Sequence, residues 1–428
     1  MFKKCVLLIL IFLPLSSTIA SAFIGAQFDS SLIKTVEASL NEIVVHEWES
    51  IQVAINGATE NDTIRVMPGT YREHINVTKT VKLVGEDPAS TIIDGENQNK
   101  TIITVLASDV EIRGFTIQNA GMGIQFAMDP FGIKVWFNVS TTIRNNNIMN
   151  SYYGIWLSQS NRCHIFDNTI TNCKTGIQLS SSSSLNRIVG NTIRNNSIGV
   201  ITSPESRNTT LYRNNFINNN EQIRPFGSNI TLDNGAEGNF WSDYTGEDSD
   251  GDGIGDTPYP DPLSKWDEYP LKDPWSLLRV HRVPWDEQTY NVTTYCNSTV
   301  ASFNFSQSGK QVSFNATGPP GALGFCNVTI PKTLLNASSN GWTVYRDTVN
   351  MTDEIVVGGN GTHTSIYFAF SLGKYKVRIV GTDVIPEFPT LLYLVIFMIA
   401  TLIATILVKR RDRIDIFGAL VSKFKGTL

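Results

Sequence analysis

The phrase that decides the fold occurs three times in the middle of the chain: "NNIMNSYYGIWL" at 146–157, "NTITNCKTGIQL" at 168–179 and "NTIRNNSIGVIT" at 191–202. Each copy begins with Asn, has Ile two residues later, and carries Gly followed by an aliphatic residue near its end. A looser copy, "NFINNNEQI", begins at Asn215, and "NFW" begins another at Asn239. The leading Asn recurs every 22 to 24 residues. This period is typical of a solenoid, whose units must stack to bury their apolar faces.

Columns of like residues run through the copies and alternate with polar residues, which is the periodicity of strands. One apolar column contains Ile117, Ile148, Ile170, Ile193, Ile217 and Trp241, and a second contains Ile124, Ile155, Ile177 and Val200. The Asn column holds residues 146, 168, 191, 215 and 239, and the Gly column holds residues 123, 154, 176 and 199. Asn tolerates left-handed turns, and stacked Asn side chains can hydrogen-bond between coils. The columns predict a parallel β-helix over residues 46–245, with one coil per repeat.

The start of the solenoid and one irregular repeat give two further expectations. A short amphipathic helix around Ile51 and Ile55 is expected to cap the first coil, which otherwise exposes apolar core and a strand edge. Between Ile117 and Ile148 the period stretches to 31 residues. The extra "AMDPFGIKVWFNVS" is therefore expected to leave the wall as a loop.

The repeat is absent from residues 279–382, where short β-rich runs such as "TVASFNFS", "CNVTIP" and "KYKVRIVG" alternate with Gly, Pro and Asn turns. Spaced strands of this kind predict an immunoglobulin-like β-sandwich. The predicted fold class is therefore all-β, a parallel β-helix followed by a sandwich.

Both ends of the chain carry membrane-targeting patterns. Residues 1–22 have two lysines, an apolar run and an A-x-A site at Ala20–Ala22, which is the pattern of a secretory signal peptide. Residues 390–408 contain no charge and would span roughly 28 Å as a helix at about 1.5 Å per residue. "KRRDR" follows, and a basic cluster belongs on the cytoplasmic side. We expect a single-pass membrane protein with its bulk outside and residues 409–428 as a cytoplasmic tail.

The composition is consistent with an extracellular protein. The net charge is −5 and the pI about 5.6, so nothing indicates a nucleic-acid partner. Glycosylation sequons are concentrated in the later domain, at Asn291, Asn297, Asn304, Asn315, Asn327, Asn336, Asn350 and Asn360. This density predicts a glycan-coated stalk.

Four cysteines remain after removal of the signal peptide, and an even number outside the cell permits two disulfides. Cys163 and Cys173 lie within one repeat, and Cys296 and Cys326 lie within the later domain. Proximity favours pairing within each of these sets, with three connectivities open.

An acidic stretch, "DYTGEDSDGDGIGDTPY", lies in the segment 246–275 between the two domains. Asp248, Asp250, Asp252 and Gly253 match positions 1, 3, 5 and 6 of a twelve-residue calcium loop, with the Ile254 carbonyl at position 7 and Asp256 at position 9. Position 12 is Tyr259 instead of Glu, so Asp267 or Glu268 would have to supply the last ligand. The pattern predicts a calcium site at the junction.

These residues resemble a known family. "SIQVAINGATENDTIRVMPGTY" looks like the opening of pectate-lyase-like β-helix proteins. The repeats together with "GNFWSDY", "DGDGIGDTPY" and "DEYPL" look like NosD-type periplasmic copper-binding β-helix proteins, also grouped as carbohydrate-binding and sugar-hydrolase repeats. The sandwich, "IPEFPT" and the C-terminal span make the whole similar to archaeal cell-surface proteins of that group. The resemblance implies a right-handed β-helix.

The resemblance does not carry an activity with it. Hydrolases of this group need paired aspartates near a His, whereas Asp167 stands alone in the repeats. Copper would need convergent His, Met or Cys, and the adjacent Cys163 and His164 should face opposite sides of a strand. No catalytic residue is therefore assigned.

One feature of the repeats suggests ligand binding. Trp156 lies between two core positions and should face outward, in a column with Gln125 and Gln178, where its ring could stack on sugars. The sequence therefore favours a non-enzymatic surface protein that binds glycans or other envelope polymers. The alternatives are a polysaccharide lyase or hydrolase and a copper-handling accessory protein.

Overall fold

The computed structural model describes residues 41–123, 130–137, 139–226, 229–260, 266–285, 288–385 and 398–410. The predicted signal peptide, Gln125 and most of the predicted cytoplasmic tail lie outside these residues.

The first part of the described chain is built from one helix and short strands. In its N-terminal half these are β1 (Glu42–Val45), α1 (Ile51–Gly57), β2 (Thr63–Val66), β3 (Gly69–Tyr71), β4 (Ile75–Val77), β5 (Lys82–Gly85), β6 (Thr91–Asp94), β7 (Ile103–Val105), β8 (Val110–Arg113), β9 (Thr116–Gly121), β10 (Phe131–Trp136), β11 (Thr141–Arg144) and β12 (Asn147–Ser151). The next are β13 (Tyr153–Ser158), β14 (His164–Phe166), β15 (Thr169–Thr171), β16 (Thr175–Ser180), β17 (Arg187–Val189), β18 (Thr192–Arg194), β19 (Ile198–Thr202), β20 (Arg207–Tyr212), β21 (Asn215–Ile217), β22 (Glu221–Arg224), β23 (Asn229–Thr231) and β24 (Phe240–Trp241).

These strands form three parallel sheets that wind into a right-handed β-helix. A nine-stranded sheet has the order β1-β2-β5-β8-β11-β14-β17-β20-β23. An eight-stranded sheet runs from β3 to β24, and a seven-stranded sheet from β4 to β22, each taking every third strand through the regular coils. The predicted parallel β-helix is confirmed.

The apolar columns fill the interior of the coils. Ile148, Ile170 and Ile193 pair in register and are fully buried, as the alternation of apolar and polar residues predicts. The next coil departs from the predicted phase by one residue, because Phe216, and not Ile217, pairs with Ile193. Phe216 stacks on Trp241 with ring centroids 4.4 Å apart, so the larger ring fills the last core position.

Part of the segment that was predicted as a loop in the irregular repeat is a strand of the wall. Residues 131–136, predicted as part of a loop, form β10, which pairs with β7 and β13 in the seven-stranded sheet. Gly132 consequently takes the place predicted for Gly123 in the Gly column. A Cβ atom there would lie 2.6 Å from the Gly154 carbonyl oxygen, a clash that explains the column of glycines.

The predicted cap at the N-terminal end is present as α1. Ile51 and Ile55 are fully buried against the first coils. Glu73 fixes the start of the helix by accepting hydrogen bonds from the Ile51 and Gln52 backbone N–H groups at 2.9 and 3.1 Å. The helix therefore covers the apolar end of the solenoid.

Antiparallel sheets follow the β-helix, after a small ribbon of β25 (Tyr259–Pro260) and β26 (Trp266–Asp267). Their elements are β27 (Leu278–Trp285), β28 (Gln288–Cys296), β29 (Thr299–Ser306), β30 (Gln311–Thr317), β31 (Leu323–Pro331), β32 (Leu335–Asn336), β33 (Thr343–Arg346), β34 (Val349–Asn350), the 3₁₀ turn Thr352–Glu354, β35 (Val356–Gly359), β36 (His363–Ser371), β37 (Lys374–Val380) and β38 (Asp383–Val384). Two five-stranded sheets, β27-β28-β31-β36-β35 and β29-β30-β37-β33-β34, share one hydrophobic core.

Residues 398–410 are helical, and 398–408 are the described part of the predicted membrane span. Across the ranges that the structure describes, no helix combines the length and the apolar character needed to cross a bilayer.

Candidate functional site

The outer face of the seven-stranded sheet carries the predicted tryptophan. Trp156 is partly exposed on β13, with Gln178 beside it in register on β16. The neighbour on the other side is Lys134 of β10. This position was predicted for Gln125, which lies outside the described residues. The structure thus places Trp156 and Gln178 together and adds a lysine that the loop assignment concealed.

Aromatic rings surround Lys134. Phe131 stacks on Trp156 at a centroid distance of 4.7 Å and on Tyr153 at 5.0 Å. The Lys134 ammonium lies 3.9 Å from the centroid of Trp136 and 4.9 Å from that of Trp156, within the range of cation–π attraction. We call the group of Phe131, Lys134, Trp136, Phe137, Tyr153 and Trp156 the aromatic patch. Its outermost ring, Phe137, is 58% exposed and stacks on Trp136.

The acidic segment turns so that three of its carboxylates come together. Ligand oxygens of Asp248, Asp250 and Asp252 lie within 4.8 Å of one another. The Asp252 backbone N–H donates to Asp248 at 3.1 Å and to Asp250 at 3.2 Å, and Gly253 N–H donates to Asp248 at 3.0 Å. The tight turn at Gly253, with φ of +90°, brings these carboxylates to one side.

A lysine from the antiparallel sheets already faces this trio. The Lys374 ammonium lies 2.5 Å from the buried carboxylate of Asp252 and 3.9 Å from Asp250. The hydrogen bond to Asp252, aided by the surrounding negative charge, raises the Lys374 pKa. A calcium ion bound to the trio would therefore compete with a protein cation, which the sequence could not reveal across more than a hundred residues.

Two of the predicted ligands do not join the trio. Asp256 instead accepts a hydrogen bond from the Ser249 N–H at 2.9 Å, and that interaction lowers its pKa. Asp267, suggested as the last ligand, is fully buried at the end of the β-helix. There its carboxylate accepts from the Asn239 N–H at 2.7 Å and from the Trp241 indole N–H at 2.8 Å.

Asp267 ends a ladder of buried asparagines. Each ladder Asn donates its backbone N–H to the side-chain oxygen of the next, at 3.0 to 3.1 Å, in the order Asn146, Asn168, Asn191, Asn214 and Asn239. Sequence assigned Asn215 to this column, whereas Asn214 occupies it. Burial raises the pKa of Asp267 to about 7, although its hydrogen bonds to Asn239, Trp241 and Tyr269 act in the opposite direction.

The cysteines divide into two kinds. Cys296 and Cys326 form a disulfide between β28 and β31. The suggested pairing of Cys163 with Cys173 is wrong, since both are free thiols in the core of the β-helix. Burial raises the pKa of each to about 12 and keeps both protonated.

Comparison with known proteins identifies the repeat. Residues 55–246, under half of the chain, match the family described as periplasmic copper-binding protein (NosD). The β-helix is NosD-like. A "Probable ABC transporter binding protein NosD" of Pseudomonas aeruginosa is 35% identical over 79 residues, which is 18% of this chain and 18% of that protein. A "Cell surface glycoprotein" of Methanothermus fervidus is 34% identical over 112 residues, 26% of this chain and 17% of that protein.

The match to these relatives is local, because the chain covers less than a fifth of the length of either. Among solved structures, a pectin methylesterase from Yersinia enterocolitica aligns with 40% of this chain and 65% of its own, at 12% identity and a TM-score of 0.28.

In the described part of the β-helix, no group of three or more His, Cys, Asp or Glu side chains comes together. Within the described ranges, one group of three or more His, Cys, Asp or Glu side chains comes together, and it is the aspartate trio. Carboxylate oxygens suit calcium or magnesium, while copper prefers imidazole and sulfur. The aspartate trio therefore does not fit a copper site.

Proposed function

We propose that this chain is an extracellular, non-enzymatic NosD-like β-helix protein that binds carbohydrate through the aromatic patch. The observation that carries the proposal is the set of stacked rings around Lys134 on an outer sheet face. Tryptophan and tyrosine combine a broad apolar face with a polar edge, which suits the mixed surface of a sugar. Solvent-facing apolar patches of this kind commonly mark interaction sites.

Glycan-array binding by the purified full chain tests this proposal. Trp136→Ala and Trp156→Ala should each reduce binding to the retained glycans by at least about tenfold, on the scale of an interface hot spot. Trp48→Ala is the matched control, since Trp48 is 82% exposed and lies outside the patch. Equal binding by all three variants, with unchanged melting temperatures, would reject the patch as the site.

Membrane anchoring through residues 390–408 is part of the same proposal. In the described part of this run, Met398, Leu402 and Leu407 are 59% to 62% exposed, an arrangement suited to lipid. The antiparallel sheets would then act as an immunoglobulin-like stalk between membrane and β-helix. Retention of the chain in membranes after alkaline carbonate extraction is expected, and release into the supernatant would argue against the anchor.

Glycans on the stalk are proposed for the sequons that the fold leaves accessible. Asn291, Asn304, Asn350 and Asn360 are exposed. The Asn315 side-chain nitrogen, which a glycan would occupy, instead donates to the Gly251 carbonyl at 2.8 Å. Peptide mass spectrometry should find glycans on the exposed group, and a glycan on Asn315 would contradict this assignment.

We propose that Asp248, Asp250 and Asp252 bind a calcium ion. The Ile254 carbonyl and, after rearrangement, Asp256 would be further ligands. Support comes from the convergence of the three carboxylates in a loop of the predicted spacing. The ion would have to displace the Lys374 ammonium from Asp252.

A further inference from the structure

A concave site lies on the nine-stranded sheet, away from the aromatic patch. It is a cleft of about 250 Å³ lined by His164, Phe166, Asp167, Arg187, Tyr212 and Trp275. His164, Phe166, Arg187 and Tyr212 lie on β14, β17 and β20, which are neighbours in the sheet, and Asp167 directly follows β14. Parallel strands lie about 4.8 Å apart, so the cleft follows the stacking axis across three successive coils.

One wall of the cleft is supplied by the chain that follows the last coil. Trp275 and Asp167 both lie close to Gly190. A Cβ atom added to Gly190 would lie 3.0 Å from the Trp275 ring and 2.6 Å from the Asp167 carboxylate. Gly190 also has φ of +68°, which favours glycine. Because Gly190 has no side chain, the Trp275 indole and the Asp167 carboxylate can both pack against its backbone.

The cleft holds a cation without a protein counter-ion. Arg187 donates to the Tyr212 hydroxyl at 2.7 Å, and in the described structure it forms no ion pair. Arg213, near Trp275, is by contrast paired with the buried Glu237. An incoming carboxylate would therefore find the Arg187 guanidinium available, and such pairs are strong and directional.

Two further polar groups of the cleft lack partners among the described residues. The carboxylate of Asp167 has no hydrogen-bond donor, and partial desolvation raises its pKa despite the opposing influence of Arg144. Trp275 is 8% exposed, and its buried indole N–H has no acceptor. A ligand with several hydroxyl groups can supply donors to a carboxylate and acceptors to an N–H.

We infer that this cleft binds an acidic sugar unit of a polysaccharide. Arg187 pairs with the carboxylate of the sugar, Asp167 accepts hydrogen bonds from its hydroxyls, and the rings of Phe166 and Tyr212 contact its apolar face. Extension of the cleft along successive coils fits a linear polymer better than the single charged end of a peptide. This site is independent of the aromatic patch, because it lies on another sheet.

Calorimetry on the full chain tests the inference with a matched pair of ligands. A β-1,4-linked tetraglucuronate carries carboxylates, and cellotetraose has the same backbone without them. The chain should bind the acidic oligomer at least about tenfold more tightly, the scale of one charge-assisted contact. Arg187→Gln should abolish that preference, and Asp167→Asn should weaken both ligands. Arg194→Gln, an exposed arginine on β18, should change neither.

Several results would overturn the inference, and three of them concern binding of the oligomers. These are equal affinity for the two oligomers, unchanged affinity in Arg187→Gln, and absence of measurable binding at millimolar ligand. Displacement of the acidic oligomer by a short peptide with a free carboxyl terminus would assign the cleft to a peptide instead. Trp156→Ala should leave this binding intact, so failure of the aromatic patch and failure of the cleft are distinguishable. Melting curves of each variant exclude loss of folding as the cause.

Discussion

The ladder asparagines satisfy several needs of each coil with one side chain. The oxygen of Asn191 accepts two N–H groups from Asn168, both at 3.0 Å. Its side-chain nitrogen donates to the Ile165 carbonyl at 2.8 Å. These groups are inaccessible to water, and a buried polar group left unpaired costs about 1–3 kcal/mol. Asn therefore fixes the turn and joins successive coils.

Neighbouring residues on one strand should differ sharply in their tolerance of mutation. Ile170→Ala is expected to lower the free energy of unfolding by about 2–5 kcal/mol, because the fully buried side chain leaves a cavity. Thr169→Ala, partly exposed beside it, should change it by less than about 0.5 kcal/mol. Urea unfolding of both variants measures the difference, and equal losses would contradict the strand phase.

Sequence predicted this phase wherever the repeat had a single solution. At Ile170 the leading Asn and the following Ile define one register. Near residue 215 two asparagines stand side by side, so Asn214 with Phe216 and Asn215 with Ile217 both satisfy the pattern. A shift of one residue exchanges the two faces of a strand. Packing of Phe216 on Trp241, which lies a coil away, selects the register that is seen.

At the scale of elements, β10 shows that an insertion can cause a strand to be predicted as a loop when strands are assigned from the repeat length alone. The added residues lie before β10, so the strand itself returns to the wall and pairs on both sides. Counting from Ile117 cannot distinguish which part of a long repeat leaves the solenoid. Because β10 carries Phe131, Lys134 and Trp136, the loop prediction also missed most of the aromatic patch.

The carboxyl group that ends the ladder should make stability depend on pH. Burial raises the Asp267 pKa to about 7 from its ordinary 3.8. Between about pH 4 and pH 7 the folded chain then holds a proton that the unfolded chain has released. The free energy of unfolding should therefore decrease as pH rises through this range, by up to about 4 kcal/mol.

Urea unfolding at several pH values between 4 and 8 measures this dependence. Asp267→Asn keeps an oxygen acceptor for the ladder but cannot titrate, so its curve should be flatter than that of the parent chain. Glu205→Gln serves as the control, since Glu205 is exposed and is not part of the ladder. If Asp267→Asn and the parent chain show the same slope, the carboxyl is ionised throughout.

Considered as a whole, the β-helix and the antiparallel sheets share buried polar contacts. Glu237 is fully buried, and it accepts from Arg213 at 2.8 Å and from the Thr299 backbone N–H at 3.0 Å. The acidic loop is also tied to the sheets, because the Asp252 carbonyl accepts from the Thr317 hydroxyl at 3.0 Å. Removal of Arg213 would leave the buried charge of Glu237 without its cation.

Calcium should stabilise this junction by mass action. A chelator is expected to lower the melting temperature of the full chain, and Asp250→Ala should remove most of that response. Lys374→Met should enlarge it, because Asp252 then loses its protein cation and depends on the metal. Differential scanning calorimetry with and without calcium measures these shifts.

The calcium assignment fails if titration calorimetry detects no binding at millimolar ion. A chelator response that is the same in Lys374→Met and the parent chain would show that lysine and metal do not share the site.

Contacts between distant parts of the chain account for most of what sequence did not predict. The acidic spacing pointed to the aspartate trio, but the Lys374 that pairs with Asp252 lies in the antiparallel sheets. Trp275 likewise closes the cleft from a segment without a repeat. Local patterns report which face of a strand is buried, whereas these contacts depend on how the last coil meets the sheets.

The ladder is directional, and this has a consequence for how the chain can change length. Every internal asparagine accepts from the coil before it and donates to the coil after it, so each coil presents the same two surfaces to its neighbours. Other groups close the two ends, since α1 covers the first coil and Asp267 receives the last N–H. Duplication or loss of a whole coil inside the ladder would leave both ends unaltered. The architecture thus permits β-helices with different numbers of coils, and so of different length, to keep the same groups at their two ends.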